Sequence, residues 1–351
     1  MVKKIWFSVL MAVVLVGLAA PACAEFDMTV YGKFHVSLDY FTSDGVGNGD
    51  ISDLQISSNN SRIGFKGSEL LREGLNAVWQ LETRINFNDQ QGNTWSTRNS
   101  FLGLVGDWGK VIAGKHDTPL KIISRKLDPF GDTIFDTRAI VGSANGEDLF
   151  NLRAPNTAMY TSPSWRGVTF MAAYVADVTD NSAAANDNDN QVISVSGTYV
   201  DGPLYASLGY ETHKDAIGGN DMFRLGASYE FDAMELGAMI EQGSDDGTSV
   251  NLIDRLALNV FGVFDFGAHT LKVQVVKASE IDNNDDDSFM WSVGVAHHFT
   301  DRTNIYLVAG QLSQGDGGSY FLGGGHNTNT FVQRTPGVDQ KAVSVGMVHL
   351  F

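Results

Sequence analysis

The 351-residue chain carries 24 basic and 41 acidic side chains, a formal net charge of −17, and a single cysteine. That acidic balance disfavours nucleic-acid partners, and one thiol excludes an internal disulfide framework. The hydrophobic fraction of 43% and mean hydropathy of −0.09 are ordinary for a water-soluble chain, but a membrane barrel gives the same values, because only every second residue of its strands faces lipid.

In chain order, Lys3 and Lys4 precede an apolar run over residues 5–20, and Ala22-Cys23-Ala24 follows as a small-x-small site. This is the layout of a secretory signal peptide, residues 1–24. Its removal leaves residues 25–351 as one domain of formal charge −19 and takes away Cys23. No later run is long enough for a membrane helix.

Alternation at period two then dominates. Val30, Gly32, Phe34, Val36, Leu38 and Tyr40 form one face; Thr29, Tyr31, Lys33, His35, Ser37 and Asp39 form the other. A lysine facing lipid near the midplane would cost roughly 2–4 kcal/mol, which fixes the apolar face outward. Leu81 and Ile85 alternate with Gln80, Glu82 and Arg84, Phe223 and Leu225 with Arg224, and Val343, Val345, Met347, His349 and Phe351 form a last stripe.

Compact turns (Gly106–Gly109, Asp201–Pro203, Thr300–Arg302) alternate with long segments rich in Asp, Asn and Gly, as in a barrel with short turns at one end and long loops at the other. Aromatic residues near strand ends (Phe26, Tyr40, Phe41, Phe87, Tyr210, Phe231, Phe351) suit interfacial girdles. The expected fold is all-β, a transmembrane antiparallel barrel of about sixteen strands, at roughly 20 residues per strand and connection. A closed barrel of that size is too wide for side chains to fill, so an aqueous channel is expected.

Residues 117–152 are too long for a turn and hold apolar residues that an outer loop would not need, among them Leu120, Leu127, Phe130 and Phe135. We expect this loop to fold into the lumen with its apolar side on the inner wall. Its acids Asp128, Asp132, Asp136, Glu147 and Asp148 would face a basic wall of Arg62, Lys66, Arg84, Arg98, Lys115 and Arg153, forming a constriction with a transverse field.

Several segments resemble the trimeric general porins of Gram-negative bacteria: Ser61 to Glu69 (SRIGFKGSE), Arg98 to Gly103 (RNSFLG), Gly114 to Pro119 (GKHDTP), Asp128 to Gly131 (DPFG), Arg153 to Asn156 with Tyr160 to Pro163, and Val345 to Phe351. The resemblance implies sixteen strands, a homotrimer in the outer membrane among lipid and lipopolysaccharide, and passive permeation of small hydrophilic solutes and ions. It also implies that Arg62, Arg98 and Arg153 line the constriction, and that Phe351 belongs to a signal read by the barrel-assembly machinery. A substrate-specific channel with a saturable site is the alternative.

No nucleophile elbow, phosphate loop or dinucleotide fingerprint occurs, so no enzyme is expected. The Asp282–Asp287 run lacks the glycine and glutamate of a calcium loop. No cofactor is expected, although the Asp-rich outer loops, including Asp187 and Asp189, are candidates for loose binding of divalent cations. The net charge leans weakly toward cation preference, while the basic cluster argues locally for the reverse.

Overall fold

A computed structural model describes residues 27–44, 51–86, 96–144, 146–178, 190–214, 219–245, 254–281, 284–323 and 335–351. The expected signal peptide lies outside these residues, as do Phe26, Phe87, Asp187, Asp189 and the side chain of Glu147.

Eighteen strand segments form one antiparallel sheet, and two pairs of them lie end to end, giving a closed barrel of sixteen staves. These are β1 (Asp27–Ser43), β2 (Ile51–Ser58 and Arg62–Arg72), β3 (Leu75–Arg84), β4 (Ser96–Thr97 and Ser100–Gly106) and β5 (Gly109–Asp117). After the long loop come β6 (Arg153–Thr161), β7 (Val168–Val175), β8 (Val192–Asp201), β9 (Leu204–His213) and β10 (Asn220–Phe231). The remainder are β11 (Met234–Asp245), β12 (Leu256–Phe266), β13 (His269–Ala278), β14 (Ser288–Thr300), β15 (Thr303–Gln314) and β16 (Gln340–Leu350). β1 closes the barrel against β16, in register from Lys33 opposite Leu350 to Ser43 opposite Gln340. Closure leaves no sheet edge for lipid to strip of hydrogen bonds.

The alternating faces sit as their chemistry requires. Leu81, Leu102 and Phe170 are at least 60% exposed on the outside, whereas Ser194, Glu211 and Ser344 on the opposite phase are fully buried within the barrel. Met347, Val345 and Val343 of β16 point outward. Phe41 departs from its expected place in the girdle: it is 4% exposed and points inward, packed with residues of the long loop. The turn glycines Gly202 and Gly267 adopt φ of +53° and +65°, a region that costs other residues energy.

Phe351 continues the last stave. Its backbone exchanges hydrogen bonds with Gly32 at 2.9 and 3.2 Å, and its ring lies 5.4 Å from that of Phe34. The ring covers Gly32 so closely that a side chain there would collide with it. Deleting Phe351 removes both bonds and the ring that seals the β1–β16 seam. The expected result is a lower yield of folded barrel in the membrane, with the conductance of the molecules that do insert unchanged. Surface levels equal to wild type would refute this.

Candidate channel constriction

The long loop begins with a helix, α1 (Pro119–Lys126), although the sequence showed only a loop there. Thr118 caps it, its hydroxyl accepting from the Lys121 N–H, and Pro119 occupies the first turn, where its missing N–H is not needed. A short 3₁₀ turn, Thr137–Ala139, follows under the cap of Asp136, and Ser143–Ala144 pairs with Glu147–Asp148. The loop folds inward and leans on the inner face of β8 to β16. Ile123, Leu127, Phe130, Ile134, Phe135 and Ile140 form one buried cluster with Met239, Phe261, Val276, Met290, Val308 and Leu312 of the wall. Glycines on the inward phase make room for it. A side chain at Gly209 would strike Ile123 and Leu120, and one at Gly226 would strike Leu127.

Polar latches supplement this packing. The Leu120 N–H donates to Ser194 Oγ at 3.1 Å, and Arg224 Nη1 donates to the Leu120 carbonyl at 2.9 Å. Glu241 accepts from the Gly142 N–H at 2.7 Å with one oxygen and from Arg224 Nη2 at 2.6 Å with the other. Arg255 donates to the carbonyls of Ile140 and Ser143, and Asn259 to that of Leu127.

Opposite these latches, the loop meets β1 to β6 in a ring of charge. Asp132 is its centre: Lys33 Nζ lies at 2.9 Å, Arg125 at 3.0 Å, Arg138 at 3.4 Å and Arg62 at 3.8 Å from its carboxylate. Asn60 Nδ2 donates to it at 2.8 Å. Asp136 pairs with Arg138 at 2.7 Å and with Arg125 at 3.0 Å. On the wall, Glu82 pairs with Arg98 and Arg62, and Asp117 pairs with Arg153 and Lys121, each at 3.1 Å.

Asn60 organises the wall. β2 breaks at Asn59–Ser61, where the Ser61 hydroxyl accepts from the His35 N–H and donates to the His35 carbonyl, which also accepts from the Asn59 N–H. Asn60 there has φ +51°, which asparagine tolerates better than most residues. Its side-chain oxygen accepts from Arg84 at 2.8 Å and Arg98 at 3.0 Å, and its carbonyl accepts from Arg62 at 3.3 Å.

Arg62, Arg84, Arg98 and Arg153 thus converge, together with Asp132 and Asp136. Lys66 and Lys115 do not join them. Lys66 lies two inward positions beyond Arg62 toward the short turns, its ammonium 5.3 Å from the Tyr31 ring, and Lys115 pairs with Ser100 in register outside these ion pairs. Asp128 braces the loop, accepting from the N–H groups of Phe130 and Thr137, and Asp148 accepts from Asn151. The acids divide. Asp132 faces the wall as expected, against Lys33, Arg62 and Asn60, whereas Asp128 and Asp136 are turned into the loop, Asp136 held by Arg125 and Arg138; side-chain exposure is 29% for Arg125 and 25% for Arg62 but 6% or less for all three acids. Lys33, Glu82, Asp117, Lys121, Arg125 and Arg138 were not singled out as site residues from the sequence. The inward phase of Lys33 and Glu82 was their only signal.

Burial, and then the charge of Asp136, push the Asp128 carboxyl up to about 7. Burial also opposes ionisation of Asp132, but Lys33, Arg125, Arg138 and Arg62 outweigh it and hold that carboxyl well below its usual range. The two have opposite linkage. Ionising Asp128 costs the folded loop stability progressively between about pH 4 and pH 7. Asp132 stabilises the loop above about pH 4 and loses that contribution as the pH falls further. Raising the pH from 6 to 8 should therefore add negative charge beside the ring and reduce any preference for anions, and Asp128→Asn should remove that dependence. Reversal potentials recorded across this range, equal in slope for both proteins, would refute the assignment.

A profile of the Gram-negative porin family matches residues 10–317. Outer membrane porin protein 32 of Delftia acidovorans is 27% identical over 97% of this chain and 99% of its own length. An outer membrane porin of Bordetella pertussis is 30% identical over 68% of this chain and 69% of its own. Among solved structures, the anion-selective porin from Comamonas acidovorans superposes with a TM-score of 0.75 at 24% identity, covering 93% of this chain and all of that one. A trimer form of OmpT from Vibrio cholerae superposes at 0.65 and 15% identity, covering 93% and 99%.

Proposed function

The chain belongs to the Gram-negative porin family of the outer membrane, and from that membership we propose that it forms a water-filled channel for passive diffusion of small hydrophilic solutes, narrowed by the inward loop and selective for anions. The observation that supports this reading is an asymmetry of exposure in the charge ring: the side chains of Arg62 and Arg125 are a quarter or more exposed, whereas the loop carboxylates Asp128, Asp132 and Asp136 are almost wholly buried.

Eight cations (Lys33, Arg62, Arg84, Arg98, Lys121, Arg125, Arg138, Arg153) stand with six carboxylates (Glu82, Asp117, Asp128, Asp132, Asp136, Asp148). The chain as a whole is strongly acidic, but charges outside the narrowing are screened over about 8 Å at physiological ionic strength. Local charge where the path is narrowest therefore sets the barrier. The relative described as anion-selective is in keeping with this, and the trimer form of a structural neighbour with assembly of this chain as a homotrimer.

Reversal potentials of the refolded protein in a KCl gradient test the reading. We expect the sign of chloride preference together with stepwise, large conductances. A potassium preference would overturn the selectivity, and absence of conductance would overturn the channel.

A further inference from the structure

Beneath the loop, in the half of the barrel that ends in short turns, a recess of about 210 Å³ opens between the loop segment 129–133 and the inner faces of β1 and β13 to β16. It is mixed in chemistry. Lys33 of β1 and Lys272 of β13 stand on its two flanks, and the ring of Phe130, with Ala296 of β14 and Tyr306 of β15 on the wall between them, supplies apolar surface.

Lys272 is the unusual member. Its Nζ donates to a neutral acceptor, the Pro129 carbonyl, at 2.8 Å. Among the described residues no carboxylate lies within ion-pair distance of it. An ammonium has three donors, so two remain. Lys33, on the same recess, donates to Asp132, which is already shared with three arginines. A half-buried cation without a counter-charge is an unfavourable arrangement unless an anion completes it. The facing acids do not: Asp132 is committed to the ring, Asp128 turns its oxygens to the Phe130 and Thr137 N–H groups, and Asp265, beyond ion-pair distance, accepts from the Thr270 hydroxyl.

We propose that this recess, in the porin reading on which it rests, is a saturable site for a small organic monoanion with an apolar body, an aromatic monocarboxylate being the fitting class. The carboxylate sits on Lys272, with Lys33 adding to the attraction, and the apolar part packs on Phe130 and Tyr306. Chloride crosses the same region without using the apolar side. A neutral aromatic lacks the charge that draws it in.

Benzoate added to reconstituted channels tests this. We expect a reduction of chloride current that saturates at millimolar benzoate, with no such effect from benzyl alcohol. Lys272→Gln, whose amide can still donate to the Pro129 carbonyl and so keep the loop in place, should weaken the block by about tenfold, equivalent to 1.4 kcal/mol. Lys272→Arg should restore it. Ala296→Leu, which narrows the recess without changing its charge, should weaken the block as well. Equal block in wild type and Lys272→Gln, or equal block by benzyl alcohol, overturns the site. The reversal potential in KCl, read in the same recordings, separates the two readings: preserved chloride preference without benzoate block rejects the recess alone.

Discussion

Glu241→Ala should destabilise the barrel by about 3–5 kcal/mol and raise its single-channel conductance. Glu241 is 2% exposed and answers two buried arginines, Arg224 and Arg255, besides accepting from the Gly142 N–H. Removing one partner of a buried ion pair leaves the other's charge uncompensated, which is the source of the energy cost. Arg224 and Arg255 also hold the carbonyls of Leu120, Ile140 and Ser143, so their reorientation loosens both ends of the loop's inner course. The apolar packing opposes complete release. Leu127, Phe130, Ile134 and Phe135 remain buried against the wall, at roughly 1.5–3 kcal/mol each. The loop should therefore shift locally around residues 140–143 rather than leave the lumen. Thermal unfolding together with conductance histograms checks this. An unchanged melting temperature and unchanged conductance would show that the latch does not hold the loop.

The second large effect is on selectivity. Arg84→Glu should reduce chloride preference about tenfold. Arg84 is the informative choice because it donates to neutral Asn60 and not to a carboxylate, so its replacement orphans no acid. Arg98 and Arg153 lack that property, since each pairs with Glu82 or Asp117. A unit charge about 5 Å from a passing ion is worth roughly 0.8 kcal/mol in water, and the replacement changes two units. Ionic screening roughly halves that sum at this distance, and chloride and potassium shift in opposite directions, so the permeability ratio changes by somewhat more than tenfold. Reversal potentials in a KCl gradient read it directly; a ratio within twofold of wild type would remove Arg84 from the permeation path.

The barrel was legible in the sequence because lipid penalises charge on the wrong face. One lysine in β1 fixes the phase of that strand, and the same rule read strand by strand placed Arg62 and Arg84 inward. The loop's inward path was legible for a related reason: Phe130 and Phe135 have no use in water. The pairing of charges was not. Lys33 and Asp132 are 99 residues apart, and Lys272 and Pro129 are 143 apart, so no local spacing announces either contact. The loop's own cations, Arg125 and Arg138, decide which way its acids turn, and a list of acids opposite a list of bases does not include them. Phe41 shows the limit of reading aromatics as girdle: one residue along from Tyr40 reverses the face, and the loop supplies a second apolar surface inside. The inward glycines Gly209 and Gly226 were the available sign of where α1 rests.

The two interrupted staves have a mechanical consequence. β2 breaks at Asn59–Ser61 and β4 at Arg98–Asn99, both on the arc that the loop does not back with apolar packing. Elsewhere the described ladder runs on with local register shifts only, as at Ala154–Thr157 in β6 and His298–Thr300 in β14, and the loop's apolar side backs β11 to β15 from within. Here isolated backbone bonds, such as Asn59 N–H to the His35 carbonyl and Arg98 N–H to the Glu82 carbonyl, are interspersed with side-chain contacts through Ser61 and Asn99. The cylinder therefore has one compliant sector, and it is the sector that carries the arginines. Under an applied voltage or a squeezing solute we expect the aperture to yield there first, by flexing of its wall while the loop stays seated.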